Sequence, residues 1–230
     1  MAVEIVDFVA GAQSARGLTV VIDVFRAFSV AVYAFSRGVA RMIPVAAIED
    51  ALALKERFPD ALLIGERHGR RLAGFDCGNS PTELQKFDLA GRTVIHTTHA
   101  GTQGLTNAGQ ADEVITGALV NAAAIVSYIR GRQPSRVTIV RMGQAATHRC
   151  DEDDLCAELL AARLRGENPP IDDIPARLRS ADSAQKFFDP ACDWAPQEDF
   201  EFCTRADSFD FVLRLDRTPA VPELRRVSIG

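Results

Sequence analysis

The chain has 230 residues, 47% of them apolar, and a formal net charge of −5. It is long enough to bury a full core, and it lacks the basic footprint of a nucleic-acid binder. The opening MAVEIVDFVAGAQSARG has no basic run followed by a long apolar core, and no later run reaches the roughly 18 apolar residues of a membrane span. Five cysteines, odd in number and without a CxxC pair, fit reduced thiols better than a disulfide framework. The expectation is a cytoplasmic protein whose cysteines are core residues or bystanders.

In chain order, TVVIDVFR from Thr19 to Arg26 carries an apolar strand into Asp23 and Arg26. Ala27 to Gly38 continues as a helix closed by a glycine. A strand that stops on a carboxylate presents it at the sheet edge where open α/β sheets bind ligands. The amides of the next helix add positive potential there, so the turn suits an oxyanion, with the carboxylate available to a metal. Asp23 is equally a good helix cap, and both readings stand at this point.

Ala40–Ala46 reads as a strand, Ile48–Phe58 as a helix, and Ala61–Glu66 as a strand ending on Glu66 and Arg67. A long polar, Gly-rich loop follows, holding Asp76, Asn79 and Ser80 ahead of a short helix near Pro81. Loops of that length inside a compact domain are usually functional or disordered. Arg92 to Gly109 repeats the opening design, with a polar turn at Thr97, Thr98 and His99. EVITGA, NAAAIVSYIRG and RVTIVRMG then give strand, helix and a strand ending at Arg141, and an acidic helix runs from about Glu152 to Arg165. Beyond Gly166 the chain turns Pro-rich and irregular, with a helix after Pro196 and a last strand at Phe209–Leu215.

Two stretches, about 18–90 and 91–166, can be laid over each other, with TVVID over TVIHT and ALLIGER over VTIVRMG. This predicts an internal duplication of a β-α-β-α-β unit within a single α/β domain spanning 1–230. Residues 167–230 are expected to cover one edge of its core. Strand ends of the first half would bring Asp23, Arg26, Glu66 and Arg67 to one cleft, and those of the second half Thr97, Thr98, Thr102 and Arg141.

IDVFRA (Ile22–Ala27), ALLIGER (Ala61–Arg67), GFDCGNSP (Gly74–Pro81), TTHAGT (Thr97–Thr102), GALVNAAAI (Gly117–Ile125) and EDDLCA (Glu152–Ala157) occur in that order. With them the chain resembles the 2-phosphosulfolactate phosphatase family, magnesium-dependent phosphatases associated with coenzyme M biosynthesis. The resemblance implies a three-layer α/β/α fold with mixed sheets and two similar halves. It also implies Mg2+-dependent hydrolysis of a small anionic phosphomonoester, 2-phosphosulfolactate to sulfolactate and phosphate, in a possible homodimer.

On that reading Asp23 is a metal ligand or base, with Glu66 and Asp76 as further carboxylates and Glu152 and Asp153 completing the metal site. Arg26 and Arg67 would grip the phosphoryl group or a sulfonate. Asn79, Ser80, Thr97, Thr98, Thr102 and Arg141 would bind substrate. The same residues have structural readings: an Asx turn before Pro81, an ion pair at a strand end, caps, and acids at a helix start. Phe28, Ala100 and Gln144 depart from the family pattern at turns expected to line the pocket, which keeps a non-catalytic binder of a sulfonate or phosphorylated metabolite as the competing expectation. His96, His99, His148 and Cys150 are residue types that bind zinc, but His96 and His99 would face opposite sides of a strand, so a zinc site is not expected.

Overall fold

The computed structural model describes residues 1–229. Its strands are β1 (Ala2–Asp7), β2 (Leu18–Ile22), β3 (Arg41–Pro44), β4 (Leu62–Arg67), β5 (Arg70–Arg71), β6 (Thr93–Thr97), β7 (Glu113–Gly117), β8 (Arg136–Arg141), β9 (Phe211–Asp216) and β10 (Glu223–Ser228). The helices are α1 (Phe8–Ser14), α2 (Ala27–Ser36), α3 (Ile48–Arg57), α4 (Pro81–Leu84), α5 (Gly101–Asn107), α6 (Ala122–Arg132), α7 (Asp151–Leu164), α8 (Ile174–Arg179) and α9 (Gln197–Thr204). Two 3-10 segments, Leu119–Asn121 and Asp182–Phe187, complete the set.

β2 is buried at every position because alternate residues serve two helical layers. Val21 joins Ala31 and Phe35 of α2 and Leu105 of α5 in one core, whereas Val20 and Ile22 join Ile125 of α6 and Leu160 of α7 in another. Around the far strands, Ile43, Leu63 and Ile95 pack on Ala51 and Leu54 of α3. Helices therefore flank both faces of one mixed ten-stranded sheet, in the order β1-β8-β2-β7-β9-β10-β3-β6-β4-β5. The fold is α/β with three layers as expected, but its strands form a single sheet rather than several.

Strands β1, β8, β2 and β7 run parallel, as do β3, β6 and β4. The antiparallel pair β9–β10 joins the two blocks. The tail is thus no edge cover: it supplies the middle of the sheet. Phe211 and Leu213 of β9 and Leu224 of β10 are buried against the α2 side, and Val212 faces the other core. β10 escapes a sequence reading because ELRRVS is mostly polar, and its buried Glu223 is held by Arg41 at 3.4 Å and by Arg225.

The order has a symmetry of topology. β2 sits between β7 and β8, which come later in the chain, and β6 sits between the earlier strands β3 and β4. Helices α2 and α5 accordingly cross between the blocks and share one core. Five strand-to-strand steps separate β2 from β6; at roughly 20–25° of twist per step the sheet turns through more than a right angle between them. Ends of oppositely directed strands can then face one hollow.

Candidate active site

Asp23 stands just past β2, and its Oδ1 accepts the Ala27 N–H at 3.1 Å, closing the first turn of α2. The Phe25–Arg26 peptide bond within this turn is cis. α5 begins against the same carboxylate: a Cβ on Gly101 would lie 2.8 Å from Asp23 Oδ2 and 2.9 Å from Ala27 Cβ, so only glycine allows the approach. Burial raises the Asp23 carboxyl to about 7, with the Ala27 N–H opposing the shift and the Glu66 charge reinforcing it.

Asp153 comes from the first turn of α7 and is fully enclosed. Its Oδ1 accepts from Val24 N and its Oδ2 from Gly143 N, both at 2.8 Å, so one carboxylate ties the β2 and β8 turns together. Burial, and then the charges of Asp23 and Glu152, hold it well above the usual carboxylate range. Glu152 beside it accepts a hydrogen bond from Ser183 Oγ. Cys150 joins them: one ligand atom from each of Cys150, Glu152 and Asp153 lies within 4.8 Å of the others.

Glu66, at the end of β4, acts as a clamp between two loops. Its Oε2 accepts Gly69 N and its Oε1 accepts His99 N, each at 2.7 Å. Gly69 has φ +80°, and a Cβ there would meet the Trp194 ring at 2.1 Å, so the indole lies directly on the backbone. His68 and His99 stack edge to face at 4.7 Å.

Arg26 is 3% exposed and paired at 2.7 Å with Asp199 of α9, which is itself fully buried. Its remaining hydrogen bonds go to Trp194 O and Gly69 O at 3.0 and 3.1 Å. Ser80 Oγ and Thr82 N donate to the other oxygen of Asp199. One buried carboxylate therefore organises the walls contributed by the tail, the β4–β5 turn and the α4 start.

These groups surround a cavity of about 410 Å³ lined by Asp23, Arg26, Glu66, Asn79, Glu152 and Asp153 of the expected residues. The others lie elsewhere. Asp76 is exposed, and its Oδ2 accepts Leu63 N at 2.8 Å, which pins the loop to β4. Arg67 donates to Ala46 O and Thr97 Oγ1, at 2.9 and 3.0 Å, outside the cavity wall. Thr98 and Thr102 cap each other, Thr98 N donating to Thr102 Oγ1 at 2.9 Å and Thr102 N to Thr98 Oγ1 at 3.1 Å. Arg141 pairs with Asp7 and Asp154 at 2.8 and 3.0 Å. Ser80 is the N-cap of α4 as well as a partner of Asp199. Of the departures from the family pattern, Ala100 and Gln144 line the cavity, whereas Phe28 is buried in the core. His96 is enclosed with Asn79 Oδ1 at 3.3 Å, and burial lowers its imidazole to about 4.

Lys186, Cys150, Trp194, His68 and Phe25 line the cavity without having been expected there, and Asp199 stands behind it. A signal existed for one of them, since Lys186 is one of only three lysines in the chain. The carboxylates suit a hard cation such as magnesium: Glu152 and Asp23 each keep one oxygen outside any hydrogen bond among the described residues, and both face the cavity. The Cys150 thiol is not a magnesium ligand type.

A family model described as 2-phosphosulpholactate phosphatase matches residues 5–218. A protein of Bacillus subtilis named as a probable 2-phosphosulfolactate phosphatase is 30% identical over 214 residues, 92% of each chain. One of the same name from Thermotoga petrophila is 34% identical over 203 residues, 84% of this chain and 86% of its own. A third, from Deinococcus radiodurans, is 41% identical over 127 residues, 55% of this chain and 53% of its own.

Proposed function

This chain belongs to the 2-phosphosulpholactate phosphatase family, and on that premise we propose that it hydrolyses 2-phosphosulfolactate to sulfolactate and phosphate with the help of magnesium. Support comes from one observation above all: four carboxylates from three separate segments, Asp23 after β2, Glu66 of β4, and Glu152 and Asp153 of α7, face a single cavity. Such a group disfavours an empty, fully ionised state and favours a divalent cation. Glu152 would hold the ion through its unengaged oxygen, with Asp23 beside it and Asp153, whose oxygens tie the β2 and β8 turns, contributing its charge. The chemistry magnesium supplies in such a site is charge neutralisation at the phosphoryl oxygens and activation of water.

Asp23 is the base. Its carboxyl sits near neutrality, where a group can both take and release a proton, and Oδ2 is the oxygen not engaged by Ala27. Oδ2 takes the proton of the attacking water as the new P–O bond forms. The bond to the ester oxygen breaks, that oxygen takes a proton from solvent to become the hydroxyl of sulfolactate, and Oδ2 returns its own proton to solvent. Glu66 keeps the His99 and Gly69 backbones in place, and Arg26, committed to Asp199, fixes the Trp194 wall.

The test is release of inorganic phosphate from 2-phosphosulfolactate by the purified protein, with magnesium and with excess chelator. Release that requires the metal is expected. No release with magnesium present would end the enzymatic reading and leave a binder of the same anions.

A further inference from the structure

The cavity carries a cation, Lys186, that no carboxylate of its lining meets in a hydrogen bond or an ion pair. Lys186 lies in the 3-10 segment Asp182–Phe187, three residues after Ser183. Three residues per turn place both side chains on one side of the segment. Ser183 Oγ donates to Glu152, which identifies that side as the one facing the cavity. Lys186 Nζ is 5.7 Å from the Phe25 ring centroid and 5.2 Å from that of Phe187, so two aromatic rings hold the side chain. Among the described residues its ammonium group makes no hydrogen bond and no ion pair within 4.0 Å.

Arg26, the other cation of the wall, is in the opposite condition. Its NH1 and NH2 are hydrogen-bonded to Asp199, Trp194 O and Gly69 O. A phosphoryl group entering the cavity meets carboxylates on one side and needs a donor on the other. An ammonium offers three donors and no acceptor, and a charge-assisted bond to phosphate is among the stronger hydrogen bonds. We propose that Lys186 is the substrate-binding residue that grips the phosphoryl oxygens, and that inorganic phosphate binds through it. This rests on the phosphomonoesterase reading above and extends it to a residue of the tail.

Two measurements on the full chain with magnesium test it. In the first, acetic anhydride labels the three lysines with and without inorganic phosphate, and peptide masses give the rate at each. Phosphate is expected to slow labelling of Lys186 about tenfold while Lys55 and Lys86 react as before. An unchanged Lys186 rate at phosphate concentrations that saturate binding by calorimetry would overturn the proposal.

In the second, calorimetry compares wild type with Lys186→Met, which keeps the apolar stem between the two rings, and with Lys186→Arg. Phosphate affinity should fall about 10- to 100-fold in Lys186→Met and less than tenfold in Lys186→Arg, with magnesium affinity of both within about threefold of wild type. Equal phosphate affinity in Lys186→Met, or a parallel loss of magnesium, would overturn the proposal by showing a merely structural or charge-balancing lysine. Should Lys186→Met fail to fold, the labelling of wild type decides alone. Neither readout involves turnover. Phosphate held by Lys186 in a protein that releases none from 2-phosphosulfolactate would remove the enzymatic reading and spare this one, and turnover without protection would do the reverse.

Discussion

The turn after β2 and the turn after β6 occupy corresponding places, each ending a buried strand and starting a helix that crosses to the other block of the sheet. Each also closes its helix with a side chain four residues away, Asp23 on Ala27 N and Thr98 with Thr102. Their chemistry differs. At the first turn the cap is a carboxylate with a second oxygen to spare, and it faces the cavity. At the second turn the hydroxyls satisfy each other, and none of Thr97, Thr98 or Thr102 reaches the cavity wall. A cap and a functional group are the same residue only where the side chain has more hydrogen-bonding capacity than the helix start uses.

The largest effect expected from breaking this contrast is at Asp23. Asp23→Asn keeps the shape and an oxygen for Ala27 N but removes the base, so kcat for phosphate release should fall about a thousandfold, as for loss of a principal polar group in other active sites. A loss under tenfold in steady-state assays would return Asp23 to the role that Thr98 has. Next comes the buried pair that only the first turn possesses. Asp199→Ala leaves the Arg26 guanidinium without its carboxylate and should destabilise the fold by about 3–5 kcal/mol in urea titration. A cost below about 1 kcal/mol would show that the pair is not organising the tail.

A strand residue sharpens the comparison further: His96, one before the end of β6, falls on apolar Ile22 of β2 when TVIHT is laid over TVVID. Burial keeps His96 neutral down to about pH 4, against about 6.5 when unfolded. Its contribution is thus fully present above the unfolded value and is lost as pH falls through the window from about 6.5 to 4. The unfolded chain binds the proton first there, at a cost of about 3 kcal/mol in all. His96→Gln should flatten that part of a stability-against-pH curve, and an unchanged slope between pH 6.5 and 4 would contradict the assignment. The smallest effect is at the second turn itself: Thr98→Val should lower stability by about 1 kcal/mol and leave kcat/KM within about threefold. A hundredfold loss of activity would make the two turns functional equals after all.

Local signals located the carboxylates well. Asp23 follows an apolar strand, Glu66 ends another, and Glu152 and Asp153 open an acidic helix, and all four line the cavity. Asp76 and Arg67 carry signals of the same kind and lie outside it, because a loop carboxylate that reaches a free strand N–H is consumed by it, as Asp76 is by Leu63. The scarcity of lysine singles out Lys186, but no local pattern in QKFFDPACDW places it or Trp194 at the cavity; their places are set by contacts with Phe25, Arg26 and Gly69 far away in the chain.

What the sequence determined alone was the set of strands and helices with strong apolar periods, their α/β class, and the strand-end carboxylates, all of which depend on neighbours a few residues apart. Tertiary structure decided that the tail would enter the centre of the sheet, that Arg26 would be buried against Asp199 and that Lys186 would face the cavity. Those outcomes depend on which distant side chains remain to satisfy a buried charge once the core has closed, and no local pattern encodes that choice.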